Sequence, residues 1–597
     1  MEPMDASLNN FFRWAKEHHV FIDERIEFLY EREKGIFARL KERVEDGEQL
    51  IKVPKELTVG PELASELLPD ICYENDESFS NNEVTILLIC KLGFERKHHD
   101  HKFKPYFDIL PKQINSPYFW SGKEKSLIED TDAGIISKRN FNKILKEWYN
   151  VLNYMLKAFI DEETKRQIKN DLKFYKEYCD GRIDDEKLEF YLKEEVSSWT
   201  SFKSYMWSYS ILLSRGFPYI LITEDKSKGT LKKAILLPVV DLLNHKNDSK
   251  VQYGVANENE GNVGFKVKEP LNENDELFNN YGNKPNIDLL INYGFVIANN
   301  LYEETSITLR IANPEKVTDA KNIGNKFFED KEGIEILKEG INFTLKNTNP
   351  FPADLLTFVS FLTQLKFERK DGMTLRMKLE GLGELKKNFE GKIFFLKQKC
   401  LPLNGVKSEI AKLVKIYRNS QRNLFQKSYD CLQQYEKKLL KEYKDTITSF
   451  KAIMKSDKTF MVSLSTQFGI TSYEDLIERN LLENVTLLWL VRVSNKEEFS
   501  DDKFFRDDQF LNTITYVLEQ FDDVQKTIEV TDEDILEFKG LMSFCFPKLS
   551  LEFPSIYSQG DWSTQRFVVA STVMDRVGYL RPSNHEFFII KKISIGV

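Results

Sequence analysis

The chain has 597 residues, 41% hydrophobic and 13% aromatic, and its 85 Lys and Arg against 94 Asp and Glu give a formal net charge of −9. That length exceeds what one hydrophobic core organises, so two or more units are expected, and 45 Phe with 24 Tyr exclude disorder over most of the chain. A net acidic protein does not draw in nucleic acid by its overall field; no direct nucleic-acid contact is expected, and a basic protein partner is mildly favoured.

Residues Leu8 to Ala15 (LNNFFRWA) predict a short amphipathic helix. Gly35-Ile36-Phe37-Ala38, then Gly47, Leu50, Ile51, Val53 and Pro54, predict short strands broken by turns. Val84 to Leu92 is apolar and helical. Phe103 to Trp120 holds three prolines and is expected to be an irregular, aromatic-packed loop. Phe141 to Lys193 is helical and charge-rich. Leu236 to Val240 (LLPVV) predicts a buried strand, and Val263 to Val267 a second. Turns, not βαβ crossovers, separate these strands, and no strand–GxGxxG–helix unit occurs, which argues against a dinucleotide-binding architecture. From 410 to 439 apolar residues mark one long helical stripe. The tail mixes helical runs with an acidic stretch, Asp501 to Glu537, read as a solvated surface that could also meet a basic partner.

The six cysteines are scattered singly, with no CxxC pair, so neither a zinc cluster nor a disulfide framework is expected. The run His98-His99-Asp100-His101 lacks a partner ligand at metal-motif spacing and reads as a charged turn. No metal is expected. The start of the chain has no apolar run of a signal peptide, and no stretch of about 18 apolar residues would span a bilayer. The expected compartment is the cytoplasm, with the nucleus not excluded.

Three segments stand out together: Ser214-Arg215-Gly216-Phe217; Asp241-Leu242-Leu243-Asn244-His245; and Asn280-Tyr281-Gly282 followed by Tyr293-Gly294-Phe295. Each alone is weak. Their order, LLPVVDLLNH then ELFNNYG then NIDLLINYGFV, resembles the core of SET-domain protein-lysine methyltransferases of the Rubisco large-subunit methyltransferase class, with their fungal ribosomal-protein and cytochrome c relatives. FKPYFDILPKQINSPYFW and SYMWSYSILLSRGF resemble the insert of that family and the helix ending in its SRxF motif, and VKIYRNSQRNL a helix of its C-terminal domain.

The resemblance implies an α+β fold: a strand-rich SET domain with a knot-like core and a helical insert, followed by a mainly α-helical substrate-binding domain. The implied division is an N-terminal helix at 1–24, a SET domain at 25–300 with its insert at about 90–205, a connecting segment at 301–345 and the helical domain at 346–597. The implied cofactor is S-adenosyl-L-methionine, set against Gly35, Phe37, Arg215, Asp241, Asn244, His245 and Tyr281. Asn244 offers an amide that donates and accepts; Arg215 offers a donor fork for the cofactor carboxylate. The implied catalytic residues are Tyr293, which would orient the amine, and Tyr281. Phe217 and Phe295 would wall the lysine channel. Only about four in ten thousand free lysines are neutral at pH 7, so the channel must favour the neutral amine by desolvation. One departure stands out: the family's Gly-x-Gly turn has Glu33 where its first glycine would fall.

The implied substrate is a basic cytosolic protein, a ribosomal protein before cytochrome c, methylated by a monomer. The reading from another class is a catalytically inactive SET scaffold that binds partners, but such a scaffold should have lost Tyr293, Asn244 or His245, and all three are present.

Overall fold

Leu8, Phe11, Trp14 and Ala15 share one helical face, and all four are buried on α1 (Pro3–Glu17). In this computed structural model the described residues are 3–595 apart from 33, 73–81, 98–99, 158–159, 224–226, 228, 256–261, 311–332, 338–339, 369–371, 399–403, 500 and 594. Glu33, His98 and His99, on which two sequence expectations rest, lie outside them. The chain divides into two compact units, residues 1–304 with 399–421, and residues 305–398 with 422–597.

The first unit is built from small antiparallel sheets. β1 (Phe21–Ile22), β4 (Gln49–Val53), β7 (Val251–Val255) and β8 (Val263–Val267) form one in the order β1-β4-β8-β7. β2 (Ile26–Glu31), β3 (Gly35–Leu40) and β9 (Glu276–Leu277) form a second, and β5 (Gly216–Pro218) pairs with β6 (Ala234–Leu236). Leu50, Ile51, Val53, Phe265 and Val267 are buried in the common core.

Helices of the same unit pack on this core: α2 (Glu83–Glu95), α3 (Lys104–Ile109), α4 (Asp132–Met155), α5 (Glu162–Cys179), α6 (Asp185–Lys193) and α7 (Phe202–Arg215). Ser201, Asp161 and Asp184 cap α7, α5 and α6 by accepting backbone N–H groups, the ordinary reason such residues precede helices. Two expectations are corrected. The Phe103–Trp120 stretch contains α3, because Pro105 falls in its first turn, where a missing N–H costs nothing. The Leu236–Val240 strand stops at Leu236: Val239 takes φ 75°, ψ −52°, a left-handed setting rare for a β-branched residue, and the chain turns into a short helical segment, Val240–Leu242.

The second unit holds two three-stranded sheets besides its helices. β10 (Glu304–Arg310), β11 (Ile334–Leu337) and β12 (Gly340–Lys346) form one, and β13 (Ile447–Ser449), β14 (Gly578–Arg581) and β15 (Glu586–Ile590) the other. Among its described residues, the expected connecting segment at 301–345 is therefore mostly strand. Its signal is the alternation Ile341, Phe343, Leu345, all buried, a period of two that marks a strand with one face inward. α8 (Ala353–Leu362), α9 (Leu375–Gln398) and α10 (Ser408–Glu442) follow. α10 is the long stripe read from the sequence; Ile410, Val414 and Tyr417 belong to the core of the first unit, Leu424, Leu432 and Leu439 to that of the second. Three carboxylates of the acidic stretch Asp501–Glu537 start helices: Asp502 and Asp507 accept N–H groups as caps, and Asp534 forms a capping box with Thr531.

Candidate active site

Three local devices bring the motif residues together. First, α7 runs directly into β5 at Gly216, where a Cβ would lie 2.3 Å from the Leu212 carbonyl oxygen; the absent side chain lets Arg215 end the helix beside β6. Second, the chain after Val239 passes alongside the segment following β9. His245 bridges Asn279 in parallel, the Asn279 N–H donates to the Asn244 carbonyl at 2.7 Å, and the Lys246 N–H to the Asn279 carbonyl at 3.0 Å. Third, the helical segment Leu289–Tyr293 stops at Gly294, which is left-handed at φ 78°. A Cβ there would also meet the Asn115 carbonyl oxygen at 2.7 Å, so Gly294 is required twice over and fixes Tyr293 against the loop at 111–115.

The result is a column of rings. His245 stacks on Tyr281 at 4.8 Å and Tyr281 on Tyr293 at 4.9 Å, while Phe295 meets Tyr293 edge-on at 6.2 Å. The Tyr281 hydroxyl donates to the Leu243 carbonyl at 2.9 Å, and its N–H to His245 Nδ1 at 3.0 Å. His245 Nε2 faces Asn247 Oδ1 at 2.8 Å. One ring nitrogen thus accepts and the other donates, the pattern of a neutral imidazole, and burial lowers its pKa in the same sense. The Tyr293 hydroxyl makes no hydrogen bond among the described residues, and burial raises its pKa, so it stays a phenol.

Two cavities meet at this column. The larger, about 520 Å³, is lined by Lys34, Gln113, Asn115, Asn244, His245, Glu276 and Phe295 among others. The smaller, about 280 Å³, is lined by Phe217, Pro218, Leu221, Tyr253, Asn279, Asn280 and Gly282 among others. Ser214, Arg215, Asp241, Tyr281 and Tyr293 belong to both walls. The larger cavity has the size of a cofactor site; the smaller, walled by the Phe217, Tyr253 and Tyr281 rings, suits an alkyl amine.

Charge is placed at the junction. Arg215 Nη1 donates to the main-chain oxygen of Asp241 at 2.7 Å and lies 3.6 Å from its Oδ2, leaving its other donors uncommitted among the described residues, beside both cavities. Asp241 Oδ2 accepts the Tyr106 hydroxyl at 2.6 Å, and its other oxygen is buried without a hydrogen-bond partner among the described residues. Burial pushes this carboxyl up to about 6 despite Arg215 and Tyr106. Asp241 thus acts through Arg215. Asn244 Nδ2 donates to Glu276 Oε1 at 2.9 Å, which frees the amide oxygen to accept.

Of the residues expected from the sequence, Arg215, Asp241, Asn244, His245, Tyr281, Tyr293 and Phe295 line the larger cavity, and Phe217 lines the smaller. Phe295 is on the cofactor-sized side, not in the smaller cavity. Gly35 and Phe37 are not on either wall; Lys34 is, extended over the Phe37 ring at 4.7 Å and 3.6 Å from Glu276 Oε2. The Tyr281 hydroxyl is spent on Leu243, so this residue contributes its ring. Lys34, Glu276, Tyr253 and the 113–115 loop were missed. Glu276 and Asn279 stand inside the quoted ELFNNYG motif; Tyr253 carries no local signal, since only the β7–β8 pairing turns it inward.

This fold and this pair of cavities define a SET-domain methyltransferase. The solved SET domain of LSMT bound to lysine and AdoHcy has the same fold, with a TM-score of 0.52 at 15% identity over 73% of this chain and 93% of that one; Rubisco LSMT bound to AdoMet gives 0.50 over 72% and 93% at 15% identity. Residues 304–443 match the EFM1 middle domain. The protein-lysine N-methyltransferase EFM1 of Saccharomyces cerevisiae is 33% identical over 98% of both chains, and ribosomal lysine N-methyltransferase 1 of the same yeast is 25% identical over 83% of this chain and 87% of its own. The chain belongs to the EFM1 family of protein-lysine N-methyltransferases, and its methyl donor is S-adenosylmethionine.

Proposed function

We propose that this enzyme methylates a lysine of a basic cytoplasmic protein, with a ribosomal protein as the first acceptor to test, and that it acts as a monomer without direct contact to nucleic acid. The acceptor side chain enters the smaller cavity and the cofactor occupies the larger. The observation that carries this reading is the shared wall: Tyr281 and Tyr293 stand between a cofactor-sized space and an amine-sized one. The ribosomal choice is supported by two relatives bearing that name, ribosomal lysine N-methyltransferase 1 and, in Schizosaccharomyces pombe, set10 at 24% identity.

The residues fit the cofactor. Among the described residues Arg215 keeps donors for a carboxylate, Asn244 keeps its amide oxygen for an amine edge, and the cavity has the volume. When bound, S-adenosylmethionine supplies a methyl group activated by a sulfonium. The chain's own task is to present a neutral amine in line with it. The Phe217, Tyr253 and Tyr281 rings exclude water from the smaller cavity, which disfavours the charged ammonium. The Tyr293 hydroxyl, which has no hydrogen-bond partner among the described residues, accepts an amine hydrogen and fixes the direction of the nitrogen lone pair. Such placement supplies several kcal/mol toward the barrier.

The test uses the purified protein, tritiated S-adenosylmethionine, and ribosomes or cytochrome c from cells lacking the gene. Label on lysine of a ribosomal protein supports the proposal. Label only on cytochrome c, or only on another protein of the extract, rejects the ribosomal acceptor; no label on any protein rejects the reading altogether.

A further inference from the structure

The segment that carries Tyr293, Gly294 and Phe295 is closed at its two ends by one fully buried side chain, Asn286. Its Nδ2 donates to the Ile297 carbonyl at 2.9 Å, and its Oδ1 accepts the Ile297 N–H at 2.7 Å. Asn286 begins the helical segment and Ile297 lies just past Phe295, so one amide ties both ends of the stretch that aims Tyr293. The same Nδ2 donates to Glu303 Oε2 at 2.6 Å, with Ser420 Oγ 3.3 Å away. Glu303, also buried, accepts at its other oxygen from Gln421 Nε2 at 3.1 Å and from the Glu304 N–H at 3.3 Å. Gln421 also donates to the Glu304 carbonyl at 2.9 Å. None of these residues lines the cavities.

We propose that Asn286 and Glu303 form a positioning pair for methyl transfer: the Glu303 carboxylate orients the Asn286 amide, and that amide holds Tyr293 in line with the acceptor amine. A buried carboxylate with amide donors on both oxygens is a costly arrangement for stability alone. Removing the charge in favour of a neutral group of the same shape is often neutral for a fold. Its benefit here is direction. An amide can flip between two similar orientations, and only donors facing Glu303 leave Oδ1 on the Ile297 N–H.

The arrangement depends on the ionised form. Protonation of Glu303 would turn an acceptor oxygen into a donor facing amide hydrogens. Burial pushes this carboxyl up to about 7, against the lowering effect of its hydrogen bonds with Asn286, Glu304 and Ser420. The groups that face it are Asn286, Ser420 and Gln421; the other ionisable groups around it are Tyr417 on α10 and, through Tyr417, Asp132.

The test compares wild type with Glu303→Gln. Initial rates of tritium transfer to a protein extract from cells lacking the gene are divided by the number of cofactor sites, counted by calorimetric titration with S-adenosylhomocysteine. The expected result at pH 8.5 is a rate per site about tenfold lower, with unchanged affinity for S-adenosylhomocysteine. The ratio of wild type to variant, in which the acceptor amine's own titration cancels, should fall toward one as the pH is lowered through 7 to 6. Equal rates per site at pH 8.5, or a ratio constant from pH 6 to 8.5, would overturn the proposal, because a purely structural role changes the number of sites and not the rate of each. Should Glu303→Gln not fold, Gln421→Leu, which removes one donor and leaves the Asn286–Glu303 bond, should lower the rate per site by about threefold; no change there would also overturn it.

Discussion

Two arginine–aspartate pairs, one enclosed in the second unit and one part-exposed at the cavities of the first, separate function from structure. Arg492 in the second unit is wholly enclosed. It bonds Asp457 through two nitrogens and Asp502 through one of them, and its guanidinium lies against the Phe499 and Phe505 rings, 4.7 and 4.9 Å from their centroids. Both aspartates also cap helical turns, through the Phe460 and Phe504 N–H groups. Arg215 in the first unit bonds one main-chain oxygen and keeps its remaining donors beside two cavities. Arg492 Nη1 is buried without a hydrogen-bond partner among the described residues, so the contrast is one of place: a charge enclosed with its carboxylates holds the fold, and a charge with donors beside a cavity is kept for a ligand.

The sharpest way to break this contrast is Arg492→Met. It strands the buried Asp457 and the part-buried Asp502 and should lower stability by about 3–5 kcal/mol, read by denaturant unfolding, while the rate of each folded molecule stays at the wild-type value. A loss of rate with unchanged stability would erase the distinction. Tyr293→Phe sits at the other pole. It should leave stability and S-adenosylhomocysteine affinity intact and lower the methyl-transfer rate about 100-fold, measured with the labelled cofactor. A normal rate would remove Tyr293 from the reaction. Arg215→Lys keeps the charge and loses the fork. It should weaken S-adenosylhomocysteine binding about tenfold by calorimetry with little change in stability; unaltered affinity would reassign Arg215 to the fold.

Asp241→Asn gives the smallest effect and tests the cost of the site. Its carboxyl is pushed up to about 6 by burial, above the ordinary carboxylate range. Ionising it therefore lowers stability as the pH rises from about 4 to 6, and the loss persists above that window. The asparagine variant should be more stable than wild type by about 1 kcal/mol at pH 8, with the gain vanishing near pH 4, while cofactor affinity falls because Arg215 loses its partner. A variant less stable at pH 8 would contradict the sign.

Most of the site was legible because it is written in contiguous motifs. LLPVVDLLNH, ELFNNYG and NIDLLINYGFV place Asn244, His245, Tyr281 and Tyr293 at the ends of short elements, and the fold brings those ends together. The cavity residues that escaped, Lys34 and Tyr253, reach the walls through strand pairing, which single-sequence patterns do not encode. Asn286 and Glu303 escaped for a different reason: their partners, Ile297 and Gln421, lie beyond the periodicity of any one element. The strands Glu304–Arg310, Ile334–Leu337 and Gly340–Lys346 were missed because short strands with interrupted alternation resemble a connection until they pair.

The central claim is that cofactor and acceptor meet across the Tyr281–Tyr293 wall. A crystal structure of the protein with S-adenosylhomocysteine tests it most directly. The account predicts the ligand in the larger cavity, its carboxylate on Arg215 and its sulfur directed at the opening into the smaller cavity beside Tyr293. A ligand bound elsewhere, or with its sulfur turned away from that opening, would contradict it.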